Sequence, residues 1–314
     1  MKIYRSFDEI NFKEGTVLTV GTFDGVHKGH QLILQRLLEV SKEKQLAGVV
    51  LTIDPHPQLV LKKEGRTPIK ILTVISERIK LFEKFGLEHL FIIPFTYEFS
   101  QTPPDIFVKD YLHRKFNLKK ILVGYDHMFG RNREGSSDLL NRMSAELGFS
   151  MEKVEPYFDN GMIISSTKIR NSLLNHELDR ANGMLGYEYF VDGVVEHGSG
   201  RGRALGYPTA NIKIPDISKE LPAQGIYLVS SMIDGKKTYG MANIGTRPTF
   251  SDNDIVLLEV NFLDFDSDLY EKSLSISFLK FIREEKKFSG VDELIKQMDN
   301  DKEISQFLIK RFYY

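Results

Sequence analysis

The 314-residue sequence contains no cysteine, which excludes disulfides, thiolate metal sites and cysteine nucleophiles together. Net charge is nearly absent too, with 42 Lys and Arg against 43 Asp and Glu and a formal total of -1. There is therefore no global basic field to hold a polyanion, and a nucleic-acid partner is not expected, although a local basic site stays open. No apolar run approaches the roughly 20 residues that span a bilayer. Acidic residues occupy the opening MKIYRSFDEI, where a signal peptide would have its apolar core. A soluble, cytosolic protein without a membrane partner is predicted. Internal repeats and low-complexity segments are lacking as well. What the chain does have is 41% hydrophobic and 27% charged residues, the balance of an ordinary folded protein, at a length that suits two domains.

Short β-branched runs alternate with longer amphipathic ones in the first part: TVLTVG (16 to 21), HKGHQLILQRLLEVSKEK (27 to 44), AGVVLTI (47 to 53). Helices near 76 to 85, 104 to 116 and 136 to 147, with strands HLFIIPF (89 to 95) and KKILVG (119 to 124), continue the series. Apolar strands each followed by a helix predict an α/β domain with a doubly wound parallel sheet. After about residue 185 the runs become short, rich in Gly and β-branched residues, and Asp234-Gly235 is a hairpin signal. A small antiparallel β-barrel is expected there. At the C-terminus Val291, Leu294, Ile295 and Met298, then Ile304, Phe307 and Leu308, follow helical spacing and predict a helix packed on the barrel. The linker falls at Gly183 to Gly186, giving domains 1–183 and 184–314.

The densest chemical signal is Gly21-Thr-Phe23-Asp24-Gly-Val-His27-Lys-Gly29-His30, where the first of these strands ends and its helix begins. Ligands of open α/β sheets bind at such strand ends. Two histidines at a helix N-terminus, with Gly29 allowing close approach to the backbone, suit a phosphate. A metal pair or simple helix capping is the competing reading. In the second half Gly193 to Asn211 packs Gly198, Gly200, Arg201, Gly202, Arg203 and Gly206 ahead of Pro208-Thr209-Ala-Asn211. Backbone N–H groups of such a loop can wrap phosphates, but GxxxxGK[ST] is absent, so P-loop chemistry is not implied. A flexible basic hairpin is the alternative. Alternation puts Thr209 and Asn211 on one strand face, where both oxygens can reach one Mg²⁺ with its bound ATP. Glu259 lies inside the apolar run LLEVNF, costly unless paired, functional or facing outward.

The decapeptide from Gly21 matches the HxGH signature of nucleotidylyltransferases, and its longer form resembles that of the bacterial bifunctional riboflavin kinase/FAD synthetase family. Further motifs follow in family order. Thr52-Ile-Asp54-Pro-His56-Pro57 resembles TFDPHP; Val123 to Gly135, with Asp126 and Arg133, resembles VGxDFxFGxxRxG; Ile164-Ser-Ser166-Thr167-Lys-Ile-Arg170 matches ISSTxIR. In the second half Gly200 to Asn211 resembles GRGRxLGxPTAN, Asn243 to Phe250 matches NIGxRPTF with Arg247, Glu259 aligns with EvhxxDF, and the stretch from Arg283 resembles RxExKF.

This resemblance implies a nucleotidylyltransferase domain followed by a riboflavin kinase barrel. ATP would phosphorylate riboflavin to FMN in the second, releasing ADP, and the first would adenylylate FMN to FAD and release pyrophosphate, both with Mg²⁺. His27 and His30 would donate to the α-phosphate, and Arg170 would clamp phosphate. Ser166 and Thr167 cap their helix and, with Gly21, Phe23, Asp24, Gly29, Asp54, Asp126 and Arg133, line the nucleotide or flavin site. Glu259 would accept the proton of the riboflavin 5′-hydroxyl, Thr209 and Asn211 would hold the metal, and the glycines, Arg201, Arg203 and Pro208 would bind ATP. Arg247 and Arg283 bind or position loops. Two positions depart from the pattern: His127 stands where the family usually has Phe, and Glu271 where Gly is frequent. The alternatives are a chain that keeps one activity, a non-catalytic flavin or nucleotide sensor, and a transferase acting on another phosphate. The last leaves the barrel motifs unexplained.

Overall fold

Alternate residues of the apolar runs in the first half point to opposite faces of one parallel sheet. Leu18, Val20, Val49, Leu51, Phe91 and Ile93 join one core, while Val17, Val50, Leu90 and Ile92 join another. The structure, a computed structural model, describes residues 1–313 apart from 62–67, 126, 160, 199–201, 203–204 and 248–254, and describes no side chain at Arg133, Arg247 or Ile255. Contacts divide it into two units, Met1–Ser166 and Thr167–Tyr314.

In the first unit the elements run β1 (Lys2–Tyr4), β2 (Thr16–Gly21), α1 (Lys28–Lys44), β3 (Ala47–Asp54), α2 (Pro57–Val60), α3 (Ile75–Lys84), β4 (His89–Pro94) and α4 (Tyr97–Ser100). There follow α5 (Pro104–Ile106), continued by a π-helical stretch Phe107–Lys115, then β5 (Leu118–Gly124), α6 (Ser137–Leu147), β6 (Ser150–Val154) and the short pair β7 (Phe158–Asp159) and β8 (Met162–Ile163). The six-stranded sheet has the order β1-β4-β3-β2-β5-β6, and all its pairs are parallel. α1 turns Leu34, Leu37 and Val40 into one core, each burial contributing about 1.5–3 kcal/mol. The helix ends where Gln45, left-handed at φ 53, donates its N–H to the Ser41 and Lys42 carbonyls. Strand order reverses at β2: β3 and β4 lie to one side of it, β5 and β6 to the other. The C-terminal ends of β2 and β5 thus flank a switch point, the place where open α/β sheets bind ligands.

The last residue of the first unit starts α7 (Ser166–Leu174), and the rest of that helix and α8 (Leu178–Leu185) open the second unit. Six strands follow: β9 (Phe190–Glu196), β10 (Ala210–Lys213), β11 (Gly225–Ile233), β12 (Lys236–Arg247), β13 (Ile255–Phe262) and β14 (Ser273–Arg283). They close into an antiparallel barrel of order β10-β13-β12-β11-β14-β9, and α9 (Val291–Phe312) ends the chain. The expected Asp234-Gly235 turn joins β11 to β12, with both residues at positive φ, 48 and 79.

One expectation needs correction and another gains detail. Gly183 to Gly186 is the end of α8, closed by Gly186 at φ 79, whose N–H bonds the Asn182 carbonyl. Asn182 also ties that helix to the barrel, donating to the Phe278 carbonyl at 3.0 Å and accepting from the Tyr189 N–H at 2.8 Å. The apolar stripe foreseen on α9 is only partly its inner face. Leu308 packs on Leu228, Met241 and Leu279, but Phe307 is 59% exposed and Val291 56% exposed. The fully buried residues are Asp301, Ser305 and Ile309. Asp301 is drawn inward by Arg283, whose Nε and Nη2 reach its carboxylate at 2.9 and 2.7 Å.

Candidate functional sites

The loop from β2 to α1 is backbone under strain. Phe23, Gly25 and Val26 all have positive φ, 49, 82 and 35, and for a β-branched residue such as Val26 that conformation is an outlier. Asp24 holds it. Its Oδ1 accepts the Leu72 and Thr73 N–H groups at 2.8 and 3.1 Å, the Thr73 hydroxyl oxygen accepts the Gly25 N–H at 2.9 Å, and Ser166 Oγ donates to the Asp24 carbonyl at 2.8 Å. Asp24 is 2% exposed, so it shapes this loop from behind. Gln31 adds a bond from its amide to the Val26 carbonyl.

His27 is the N-cap of α1; its Nδ1 accepts the His30 N–H at 3.3 Å, which puts the proton of the neutral ring on Nε2. The His27 and His30 rings stack with centroids 3.7 Å apart and planes 15° from parallel. Stacked rings do not converge on a metal, and among the described residues no three His, Asp or Glu side chains cluster as ligands. Burial pushes His27 down to about 4, against a weaker upward pull from a backbone hydrogen bond. Burial, then the neighbouring His27, holds His30 well below the ordinary histidine range. His30 Nδ1 is buried without a partner. The pair is therefore a set of neutral N–H donors at a helix N-terminus. A side chain at Gly29 would press its Cβ to 3.2 Å from the His27 ring. Phe23 is buried edge-on to His30 and Phe82, and Gly21 borders the Phe23 ring.

Arg78 of α3, which carries no motif signal, joins this loop to the one after β3. Its Nη1 donates to the Thr22 carbonyl at 2.8 Å and to Thr52 Oγ1 and the Ile53 carbonyl at 2.9 Å; its Nη2 reaches Asp54 Oδ1 at 2.7 Å. The side chain is 1% exposed. Burial lowers its pKa while Asp54 and Asp24 oppose the shift. Glu77 beside it binds the Val74 N–H and starts α3. Asp54 thus faces Arg78 rather than standing as a free carboxylate.

In the loop after β5, His127 stacks on Phe129 at 5.6 Å, and Phe129 packs on Phe107. Gly135 has to be glycine, since a Cβ there would lie 2.6 Å from the Phe129 ring. Asp126 and the Arg133 side chain lie outside the described residues. Ser166 is the first residue of α7; Thr167 and Arg170, in the second unit, face each other at 3.5 Å between Arg170 Nη2 and Thr167 Oγ1.

In the barrel, register puts Glu259 of β13 directly opposite Asn211 of β10 and Asn243 of β12. Their flanking residues Ile212, Leu258, Val260, Ala242 and Ile244 are all buried, so the polar row lies on the outer wall. Glu259 accordingly faces outward, but among amides. Asn211 lies in β10 and Thr209 is the residue just before that strand. Two glycine backbones press against them: a Cβ at Gly198 would collide with the Asn211 amide, and one at Gly202 would lie 3.2 Å from Thr209 Oγ1. Gly206 sits at φ 81. The N–H groups of Leu205 and Tyr207 bond the Gly202 carbonyl at 3.0 and 2.9 Å. Asn261, missed in the sequence, fixes the strand start by donating to the Pro208 carbonyl at 2.8 Å, and Tyr207 hydrogen-bonds Asp299 of α9. Gly200, Arg201 and Arg203, like the Arg247 side chain, lie outside the described residues. Arg283 spends its fork on Asp301, which makes it a structural residue docking α9. Glu271 is held at φ 62, a conformation in which Gly would be unstrained.

Residues 9–168 match the family model of FAD synthetase and residues 185–308 that of riboflavin kinase. A bifunctional riboflavin kinase/FMN adenylyltransferase of Listeria monocytogenes is 36% identical over 287 residues, covering 91% of this chain and 90% of the relative. One from Escherichia coli K12 is 35% identical over 304 residues, 96% of each chain. A solved structure described as a macrolide-efflux protein of Streptococcus pneumoniae has a TM-score of 0.88 at 30% identity, covering 98% of this chain and 99% of that one. Among the described residues no helix is long and apolar enough to cross a membrane.

Proposed function

This chain belongs to the bifunctional riboflavin kinase/FMN adenylyltransferase family, and from that premise we propose how its residues divide the two reactions. Residues 184–314 phosphorylate riboflavin to FMN with ATP, releasing ADP. Residues 1–183 transfer the adenylyl group of a second ATP to FMN, giving FAD and pyrophosphate. The observation that carries this reading is the match of one half to each family model, each enclosing its own polar site. The cytosol, where ATP and flavin are free, is the proposed compartment.

In adenylyl transfer the acceptor phosphate of FMN is already an anion, so no general base is needed and position and charge dominate. His27, with its proton on Nε2, and His30 donate to the α-phosphate oxygens as charge grows there, aided by the α1 N-terminus. Because both rings are neutral, they supply hydrogen bonds that strengthen toward the transition state. Asp24, Thr73 and Arg78 keep the strained loop in place, Gly29 leaves room for the phosphate, and Gly21 and Phe23 shape its floor. On their motifs alone, Asp126, Arg133, Thr167 and Arg170 are assigned to the nucleotide or flavin.

Phosphorylation of a hydroxyl does need a proton acceptor. Glu259, half-buried between two amides, takes the proton of the 5′-hydroxyl. Thr209 and Asn211 offer hard oxygen donors at the start of β10, with the Gly198 and Gly202 backbones packed against them, and this donor set fits Mg²⁺. Bound there, Mg²⁺ would neutralise phosphate charge. Gly198, Gly202 and Gly206 bring backbone close to the ATP phosphates, and Arg201 and Arg203 complete that loop on their motif.

The test is to incubate the pure protein with ATP, Mg²⁺ and either riboflavin or FMN and to resolve the flavins by chromatography. FMN followed by FAD is expected from riboflavin. Bound flavin with no product in either tube would leave a sensor and overturn the reading. His127, stacked on Phe129 where the family usually has Phe, favours a second reading in which adenylylation is impaired. FMN without FAD, restored by His127→Phe, would establish it.

A further inference from the structure

Glu259 stands directly opposite two amides, Asn211 on one side and Asn243 on the other. Opposed residues of an antiparallel pair share a face with Cβ atoms about 5 Å apart, so the three side chains form one row. Asn211 has a task at the phosphates. Asn243 has none so far, and it is costly where it stands. Asn is a poor strand residue, and Asn243 Oδ1 is buried with no hydrogen-bond partner. A buried acceptor left unpaired destabilises a fold. The next outward position is Gly245, where a Cβ would sit 3.5 Å from Asn243 Nδ2 and collide with the Glu285 carboxylate. Gly245 thus leaves the space beside the amide to the Glu285 carboxylate, which only accepts hydrogen bonds and leaves Asn243 Oδ1 unpaired.

The missing partner follows from the reaction. An ionised Glu259 only accepts hydrogen bonds and has nothing to give Asn243. During phosphoryl transfer the acceptor oxygen bonds to the γ-phosphorus, the bond from that phosphorus to the ADP oxygen breaks, and the hydroxyl proton moves to the Glu259 carboxylate. Glu259 then carries an O–H. We propose that Asn243 is a positioning residue of the kinase site, orienting Glu259 through a hydrogen bond that its Oδ1 accepts as the carboxyl becomes protonated. The proposal rests on the assignment of Glu259 as the proton acceptor. By favouring the protonated carboxyl, this hydrogen bond makes Glu259 the stronger base, which speeds the chemical step and leaves substrate binding alone.

Asn243→Leu separates this role from a structural one. Leucine branches at the same atom, removes the unpaired oxygen and suits a strand better. The barrel of the full-length variant should melt at the wild-type temperature or above it, while riboflavin kinase kcat falls between about 10-fold and 100-fold. KM for riboflavin and for ATP should stay within about threefold, and formation of FAD from supplied FMN should be unchanged. A kcat within threefold of wild type overturns the proposal. So does a lowered melting temperature, which would make the amide a structural element, or a loss seen only in KM. Glu259→Gln is measured alongside: if it keeps the kinase rate, the assignment of the proton acceptor fails, whatever Asn243 does.

Discussion

Replacing Arg78 by Met should cripple FAD formation without touching the kinase. The substitution removes four hydrogen bonds, three from Nη1 at 2.8 to 2.9 Å and one from Nη2 to Asp54 at 2.7 Å. Losing one partner of a fully buried ion pair costs about 3–5 kcal/mol. The Asp54 side chain is 28% exposed and can turn to water, which discounts that part to about 1–2 kcal/mol. Stranding the Thr22 and Ile53 carbonyls adds about 1 kcal/mol each or more. About 4 kcal/mol follows, a large share of the roughly 5–15 kcal/mol that holds a domain folded. At about 2–4 °C per kcal/mol for a unit of this size, its calorimetric transition should fall by about 10 °C. Arg78→Lys should recover only part, since an ammonium cannot serve a carboxylate and three oxygens in the same planar fork. The assay is calorimetry together with FAD formation from FMN, the riboflavin kinase rate serving as internal reference. A Met variant melting within about 2 °C of wild type and forming FAD within threefold would refute the reasoning.

Three further outcomes are expected. His27 is buried with a pKa near 4 against 6.5 unfolded, so the unfolded chain binds the extra proton between those values. The first unit should therefore lose stability as pH falls from 6.5 to 4, by about 3 kcal/mol from this residue. His30 is shifted the same way, and His27→Gln should flatten the slope of melting temperature on pH by about one proton. Gly198→Ala puts a methyl group into the Asn211 amide and should lower riboflavin kinase kcat at least tenfold with FAD formation from FMN intact, read by chromatography. Asp301→Asn weakens the fork that holds Arg283 and should cost the barrel about 2 kcal/mol, measured as a lower melting temperature.

Short apolar runs each followed by an amphipathic one made the parallel sheet legible, and the Asp234-Gly235 pair made one hairpin legible, because both signals are local. β1 and β6 were missed: three residues and the mostly polar SMEKV are strands only because a sheet edge accepts them. Of the proposed site residues, His27, His30, Thr209, Asn211 and Glu259 stood out in the sequence, since their residue types carry chemistry at fixed spacing. The sequence did not reveal that Asp24 faces the Leu72 and Thr73 N–H groups, nor that Arg78, some 56 residues from Thr22, is the clamp. A buried charge looks like a surface charge until its partner is known. The same blindness misplaced the inner face of α9, where periodicity counted Phe307 and overlooked Asp301.

The closed barrel has a consequence for incomplete chains. β14 is the last strand made, and it pairs with both β9 and β11. A polypeptide ending before Ser273 has therefore synthesised five strands of six and leaves two unpaired edges, one long and apolar along β11. Such edges recruit strands from other chains. Nonsense truncation upstream of β14 is thus a route to insoluble protein as well as lost kinase, and on the ribosome those edges stay open until β14 has emerged.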